Sequence, residues 1–206
     1  MGYLKNLRRR YIQRKPFLKH TEIVKNVKKD CFILDAGCGQ GNLSKMLLEK
    51  GCHVVGCDIE KPNFKHKNFT YVKVDLDKKF PFKKRFDVII FSDVLEHLKN
   101  PEKILHMAGK ITKTIIVSIP NNHFILYKLF PKLENPSEEY SQHLHHWTLE
   151  SFKKIIPTDF KITKIKYCSD FPELKWLNYL TQNKFFHQGI IIVLKNHAGF
   201  WHHKNA

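Results

Sequence analysis

The chain of 206 residues has few acidic side chains, few glycines and prolines, and no long apolar run. Nine Gly and nine Pro exclude a collagen-like or low-complexity chain, and 42% hydrophobic residues suffice for a folded core. No apolar run approaches the roughly 18 residues that cross a bilayer, and the N-terminus lacks the apolar stretch of roughly 7–15 residues in a signal peptide. We expect a soluble, cytoplasmic protein of one domain, at most peripheral on a membrane.

Cysteine pairs are also missing. The five cysteines are odd in number, include no Cys-x-x-Cys pair and stand mostly in apolar runs that look like strands. They are Cys31, Cys38, Cys52, Cys57 and Cys168. This pattern predicts buried, reduced thiols rather than disulfides.

The shortage of acids leaves 36 Lys and Arg against 19 Asp and Glu, a net charge of +17. Residues 1–30 contain ten of the basic and two of the acidic side chains, so nearly half of the excess lies there. We interpret residues 1–30 as a basic N-terminal helical leader. Three roles stay open for it: an interfacial helix on an anionic membrane, an arm that binds RNA phosphates, or a solvated cap helix over a ligand site.

Short β-branched runs alternate with amphipathic segments along residues 31–206. Strands are predicted at residues 31–36, 53–58, 69–74, 86–91, 114–119, 160–167 and 189–194. Helices are predicted at residues 43–50 and 101–110, and a third one after Thr148 as its N-cap. The alternation predicts a parallel α/β sheet with right-handed crossovers. Residues 121–147 and 171–186 interrupt it, and we interpret them as cap excursions over a ligand site.

The first predicted strand runs into a glycine-rich turn, Asp35-Ala-Gly37-Cys-Gly39-Gln-Gly41, that opens a helix. Glycines there permit a tight turn and let backbone N–H groups face a ligand. Asp58 ends the second strand, where a carboxylate can accept both ribose hydroxyls of a nucleoside.

Two cofactors compete for this turn. A dinucleotide fingerprint needs a third glycine where the chain has Asn42. The acid Asp35 suits a pyrophosphate poorly, but it suits a ligand that carries an ammonium and a sulfonium group. S-adenosylmethionine is such a ligand.

At these residues the chain resembles the class I S-adenosylmethionine-dependent methyltransferases, over roughly residues 30–195. The resemblance implies a Rossmann-like α/β fold: a seven-stranded, mostly parallel sheet with helices on both faces and an antiparallel last strand. Residues 31–206 would then form the methyltransferase domain. The closest likeness is to the type 11 and type 23 groups, which include quinone-biosynthesis and MetW-like proteins. It rests on the stretches at residues 116–122 and 143–152.

The resemblance also assigns roles to single residues. Those implied for the cofactor are Asp35, Gly37, Gly39 and Gly41 at the methionyl end, Asp58 at the ribose, Asp75 and Leu76 at the adenine, and Ser92 near the methionyl group. His97 would point toward the reaction centre.

An oxygen acceptor must also lose a proton, and histidine is the natural base near neutral pH. The candidates are His97, His143 and His146, with His145 beside them. Aromatic residues at 124–130 and 176–186 either line an acceptor pocket or only cover the sheet.

We therefore expect an enzyme that methylates a small-molecule or lipid-like hydroxyl or amine. Charge favours an RNA methyltransferase as an alternative, although the fourth strand lacks the Asn/Asp-Pro-Pro-aromatic tetrad of enzymes that methylate nucleobase amines. A partner protein that binds the cofactor without catalysis is a second alternative.

No metal site is predicted. The histidines at 143, 145 and 146 are too irregularly spaced for a helical i, i+4 pair. His202 and His203 have no cysteine or carboxylate at ligand spacing.

Overall fold

The computed structural model of the chain describes residues 18–125, 129, 143–169 and 180–197. Its helices are α1 (Leu18–Lys25), α2 (Asn42–Glu49), α3 (Pro101–Gly109) and α4 (Leu149–Lys153). Its strands are β1 (Phe32–Ala36), β2 (His53–Asp58), β3 (Phe69–Lys73), β4 (Val88–Ser92), β5 (Thr114–Pro120), β6 (Phe160–Cys168) and β7 (Gly189–Asn196). Short 3₁₀ turns lie at Leu95–His97 and Lys184–Phe186.

Parts of several predicted features lie outside the described residues. They are residues 1–17 of the leader, 126–128 and 130–142 of the first excursion, 170–179 of the second, and the tract with His202 and His203. The domain division at residue 30 stays a prediction.

The strands form one seven-stranded sheet in the order β3-β2-β1-β4-β5-β7-β6. The first five strands along the chain pair in parallel, and β7 pairs antiparallel with both β5 and β6. This confirms the predicted fold class. Because β1 lies between β2 and β4, the chain changes direction along the sheet there, and the carboxyl ends of these strands border a crevice.

Helix ends follow the residues that the sequence offers for capping. The Asn100 side chain accepts a hydrogen bond from the Lys103 N–H at 3.1 Å, and Pro101 occupies the first turn of α3. Thr148 and Ser151 form a reciprocal capping box at the start of α4. The capping signals in the sequence therefore predicted where these two helices begin.

Side chains on the two faces of the sheet form two separate hydrophobic clusters. Leu34 of β1 belongs to the cluster that includes residues of α3 and α4, whereas Ile33 belongs to the cluster with α2. Ile23 and Val27 are buried in the second cluster. Helix α1 and the residues just after it thus pack on the sheet, although they belong to the predicted leader.

No disulfide joins any two of the five cysteines, all of which lie in the described ranges; Cys31 is half-buried and the other four are buried. None of the helices in the described ranges combines the length and apolarity needed to cross a bilayer.

Candidate active site

The glycine turn after β1 adopts left-handed backbone conformations that favour glycine. Gly37 has a φ of 76°, and a Cβ there would lie 2.3 Å from Cγ2 of Val94. Gly39 has a φ of 49°, and no atom lies within 4 Å of where its Cβ would be. Backbone N–H groups of Gly37 and Cys38 donate to the Cys57 carbonyl at 2.8 and 3.0 Å, which holds the turn against the end of β2. The turn is therefore fixed at its base and open at Gly39.

Asp58 lies at the end of β2, directly beside this turn. Its carboxylate accepts hydrogen bonds from the N–H groups of Gly39 at 2.8 Å and Glu60 at 3.1 Å. The Tyr71 hydroxyl donates to the Asp58 carbonyl at 2.9 Å. The predicted ribose-binding acid and the open glycine thus form one edge of the crevice.

Asp35 is 1% exposed and lies under the turn. The Ser44 hydroxyl of α2 donates to its carboxylate at 2.6 Å. Burial raises the pKa of Asp35 to about 6; the Ser44 hydrogen bond opposes this rise, and the charge of Asp58 adds to it. The site therefore contains a buried acid that would gain from a neighbouring cation.

Asp75 follows β3 at the same end of the sheet as Asp58, since the Val74 N–H donates to the Asp58 carbonyl at 2.9 Å. A hydrogen bond from Lys78 holds the pKa of Asp75 below its ordinary value. Leu76, the other residue predicted at the adenine, is buried in the core.

Ser92 ends β4 within a network that the sequence did not predict. Ser118 donates its hydroxyl proton to the Asp93 carboxylate at 2.8 Å, so it accepts from the Ser92 hydroxyl at 3.2 Å. The Lys19 ammonium of α1 pairs with the other carboxylate oxygen of Asp93. A residue from the predicted leader thus reaches the carboxyl end of β4.

Three of the predicted histidines meet next to this network. The rings of His97 and His143 have centroids 4.9 Å apart, and those of His143 and His146 are 6.2 Å apart. His145 is separate from them: its Nε2 lies 2.9 Å from the Leu98 carbonyl, and its ring stacks on Trp147.

Glu96 lies beside these rings and was not predicted. It is fully buried, and burial raises its pKa to about 7; a hydrogen bond from its own backbone N–H and the charge of Lys19 oppose this rise. Ligand atoms of Glu96, His97 and His143 all lie within 4.8 Å of one another. The structure therefore brings a carboxylate and two imidazoles together, at a place where no metal ligands were predicted.

The two excursions meet at Asn121, just after β5. Its side-chain amide donates to the carbonyls of Lys184 at 2.6 Å and His187 at 2.7 Å. Phe124 is fully buried, whereas Phe185 and Phe186 are exposed. The described aromatic residues of the excursions thus include both a core residue and surface residues.

A family profile described as a methyltransferase domain, of type 23, matches residues 3–158. This is more than half of the chain. The match begins inside the basic N-terminal segment and ends just before β6.

Curated relatives match part of the chain. The ubiquinone biosynthesis O-methyltransferase of Pelagibacter ubique is 33% identical over 98 residues, which are 44% of this chain and 39% of that protein. The corresponding enzyme of Hydrogenovibrio crunogenus is 29% identical over 126 residues, 55% of this chain and 51% of that protein. The chain spans about half the length of the curated relatives that it matches.

Solved structures share the fold at lower identity. One chain of the complex between the Haloferax volcanii Trm112 methyltransferase activator and a methyltransferase gives a TM-score of 0.64 at 13% identity, covering 90% of both chains. Magnesium protoporphyrin IX methyltransferase of Synechocystis, solved with bound SAH, gives 0.60 at 18% identity. That match covers 86% of this chain and 82% of the other.

Proposed function

We propose that this chain, which belongs to the family of class I S-adenosylmethionine-dependent methyltransferases, is an enzyme that methylates a small-molecule or lipid-like hydroxyl or amine. The observation that carries the proposal is the site at the carboxyl ends of β1 and β2, where the Gly39 N–H donates to the Asp58 carboxylate and Asp35 is buried at the base of the turn. Its shape and charge fit the cofactor: an open backbone approach, a carboxylate for the ribose, and an acid near the cationic methionyl end.

S-adenosylmethionine supplies a methyl group on a sulfonium, and the acceptor attacks it in line. The residues of the chain position the two molecules and exclude water. In this proposal Gly37, Gly39 and Gly41 approach the methionyl end, Asp75 and Leu76 flank the adenine, and Ser92 contacts the methionyl group.

The acceptor would lie beyond Ser92, under residues 121–147 and 171–186. His97, His143 and His146 lie near that end of β4 and would take the acceptor's proton. Proteins similar to this chain act on small molecules, among them magnesium protoporphyrin IX and 1,6-didemethyltoxoflavin, or serve ubiquinone biosynthesis. These relatives favour a small acceptor over RNA.

We also propose that residues 1–30 contact an anionic surface, either a membrane or RNA. Their charge of ten basic against two acidic side chains supports this. A methyltransferase with a similar fold was solved in complex with an activator protein. The alternative, a partner protein that binds the cofactor without catalysis, is therefore included in the experiments below.

Calorimetry with the full chain tests cofactor binding. Asp58→Ala should weaken S-adenosylmethionine binding at least about tenfold, because it removes charge-assisted hydrogen bonds to the ribose. Asp159→Ala, which removes an exposed acid before β6, should leave binding unchanged. Absence of binding heat from the wild-type chain would refute the proposal.

Transfer of labelled methyl into a fractionated lysate tests the acceptor. Label in a small-molecule or lipid fraction supports the proposal, and label in RNA supports the nucleic-acid alternative. Cofactor binding with no transfer in any fraction supports the partner alternative.

A further inference from the structure

We propose that Glu96, His97 and His143 form a binding site for a divalent transition-metal ion such as Zn²⁺. Each residue offers one ligand atom, and the three atoms lie within 4.8 Å of one another. In a tetrahedral site with bonds of about 2.1 Å, ligand atoms lie about 3.4 Å apart. Small side-chain rotations would therefore bring all three onto one ion.

Glu96 supplies an independent reason to expect a cation. Its side chain is fully buried, and no other residue in the described ranges donates a hydrogen bond to either carboxylate oxygen. An ionised carboxylate is costly to bury without such donors. Lys19, whose charge acts on Glu96, pairs directly with Asp93 instead. A bound metal ion would satisfy the Glu96 oxygens directly.

The two parts of the site are held together by the backbone. The N–H groups of Leu144 and His145 donate to the Glu96 carbonyl at 2.8 and 3.2 Å. The contact of His145 with the Leu98 carbonyl adds a second attachment. His143 is therefore presented to the turn at Leu95–His97 by bonds that do not involve the ligand atoms.

The donor set indicates which ions fit. Two imidazole nitrogens and one carboxylate oxygen suit Zn²⁺ and its neighbours in the first transition row, whereas Mg²⁺ and Ca²⁺ prefer oxygen ligands alone. Three protein ligands also leave a fourth position open, as in catalytic zinc sites. His97 and His143 would then be metal ligands. Of the three histidines predicted as bases, only His146 would still be available to accept a proton.

The metal site does not depend on methyl transfer, although use of its fourth position by an acceptor oxygen rests on the proposed function. We would strip the full chain with a chelator and titrate it with Zn²⁺ by calorimetry, counting bound ion by elemental analysis. The wild-type chain should bind one ion that Glu96→Gln and His143→Ala each weaken at least about tenfold.

The matched control is His106→Ala, which removes an exposed histidine of α3 and should leave this binding unchanged. Co²⁺ in place of Zn²⁺ should give a tetrahedral d–d absorption band that both site variants lose. Circular dichroism and S-adenosylmethionine titration of each variant show whether it is folded and binds cofactor independently of metal.

Two results would overturn the proposal. One is a wild-type chain that binds no ion. The other is binding that survives both Glu96→Gln and His143→Ala in folded protein, since the ion would then be held by other histidines.

Discussion

Raising the pH from 5 to 8 should tighten S-adenosylmethionine binding about tenfold, through the titration of Asp35. In the protein without cofactor, burial raises the pKa of this carboxyl from 3.8 to about 6, so at pH 5 most molecules carry it protonated. A cationic methionyl group beside it favours the ionised form. Binding below pH 6 must therefore release a proton, and the affinity falls as the pH falls.

The magnitude follows from linkage. If the cofactor returns the pKa of Asp35 to about its ordinary value, the apparent affinity at pH 5 is about one tenth of that at pH 8. About one proton is released per cofactor bound near pH 5, and almost none at pH 8.

The stability of the cofactor-free protein should change in the opposite direction. Between pH 4 and pH 6 the folded chain holds the Asp35 proton that the unfolded chain has lost. The free energy of unfolding therefore falls by about 2 kcal/mol as the pH rises through this range. Asp35→Asn should remove this contribution.

Calorimetry across this pH range, in buffers of different ionisation enthalpy, measures affinity and proton release together. The Asp35→Asn variant should bind S-adenosylmethionine more weakly at pH 8, and its affinity should no longer depend on pH. The exposed-acid control Asp159→Asn should keep both the wild-type affinity and its pH dependence. A wild-type affinity that is flat with pH, or an unchanged pH dependence in Asp35→Asn, would refute the reasoning.

Two further predictions concern the glycine turn and a helix cap. Gly37→Ala should destabilise the fold by about 1–3 kcal/mol because its Cβ would lie 2.3 Å from Val94, whereas Gly39→Ala, with open space, should mainly weaken cofactor binding. Thermal unfolding and calorimetry separate the two effects, and the reverse order contradicts the assignment. Thr148→Ala should cost about 1 kcal/mol in denaturant unfolding by losing the capping box; the exposed control Thr158→Ala should cost nothing measurable.

The proposed cofactor crevice was predictable because its parts are close in sequence. The turn after β1, helix α2 and strand β2 form one βαβ unit, and a right-handed crossover places β2 beside β1. A glycine turn at the end of one strand and an acid at the end of the next must then share an edge. Gly39 and Asp58 meet there at hydrogen-bond distance, as this geometry requires.

The histidine cluster was predictable only in part. The sequence indicated His97 and His143 separately, but nothing in it predicted that Glu96 would be buried beside them. An exposed position for Glu96 was the ordinary expectation, since carboxylates are seldom fully buried. The turn at Leu95–His97 decides otherwise, because it directs this side chain into the protein.

The sequence by itself determined the order of helices and strands, the parallel sheet and the glycine turn with its acids, because periodicity and capping act over a few residues. Tertiary structure decided which distant side chains meet. Lys19 pairs with Asp93, which is 74 residues away along the chain. Glu96 lies beside His143, although α3 and β5 separate the two residues in sequence. Such contacts depend on how helices pack across the sheet and on which way each side chain points, and local sequence patterns specify neither.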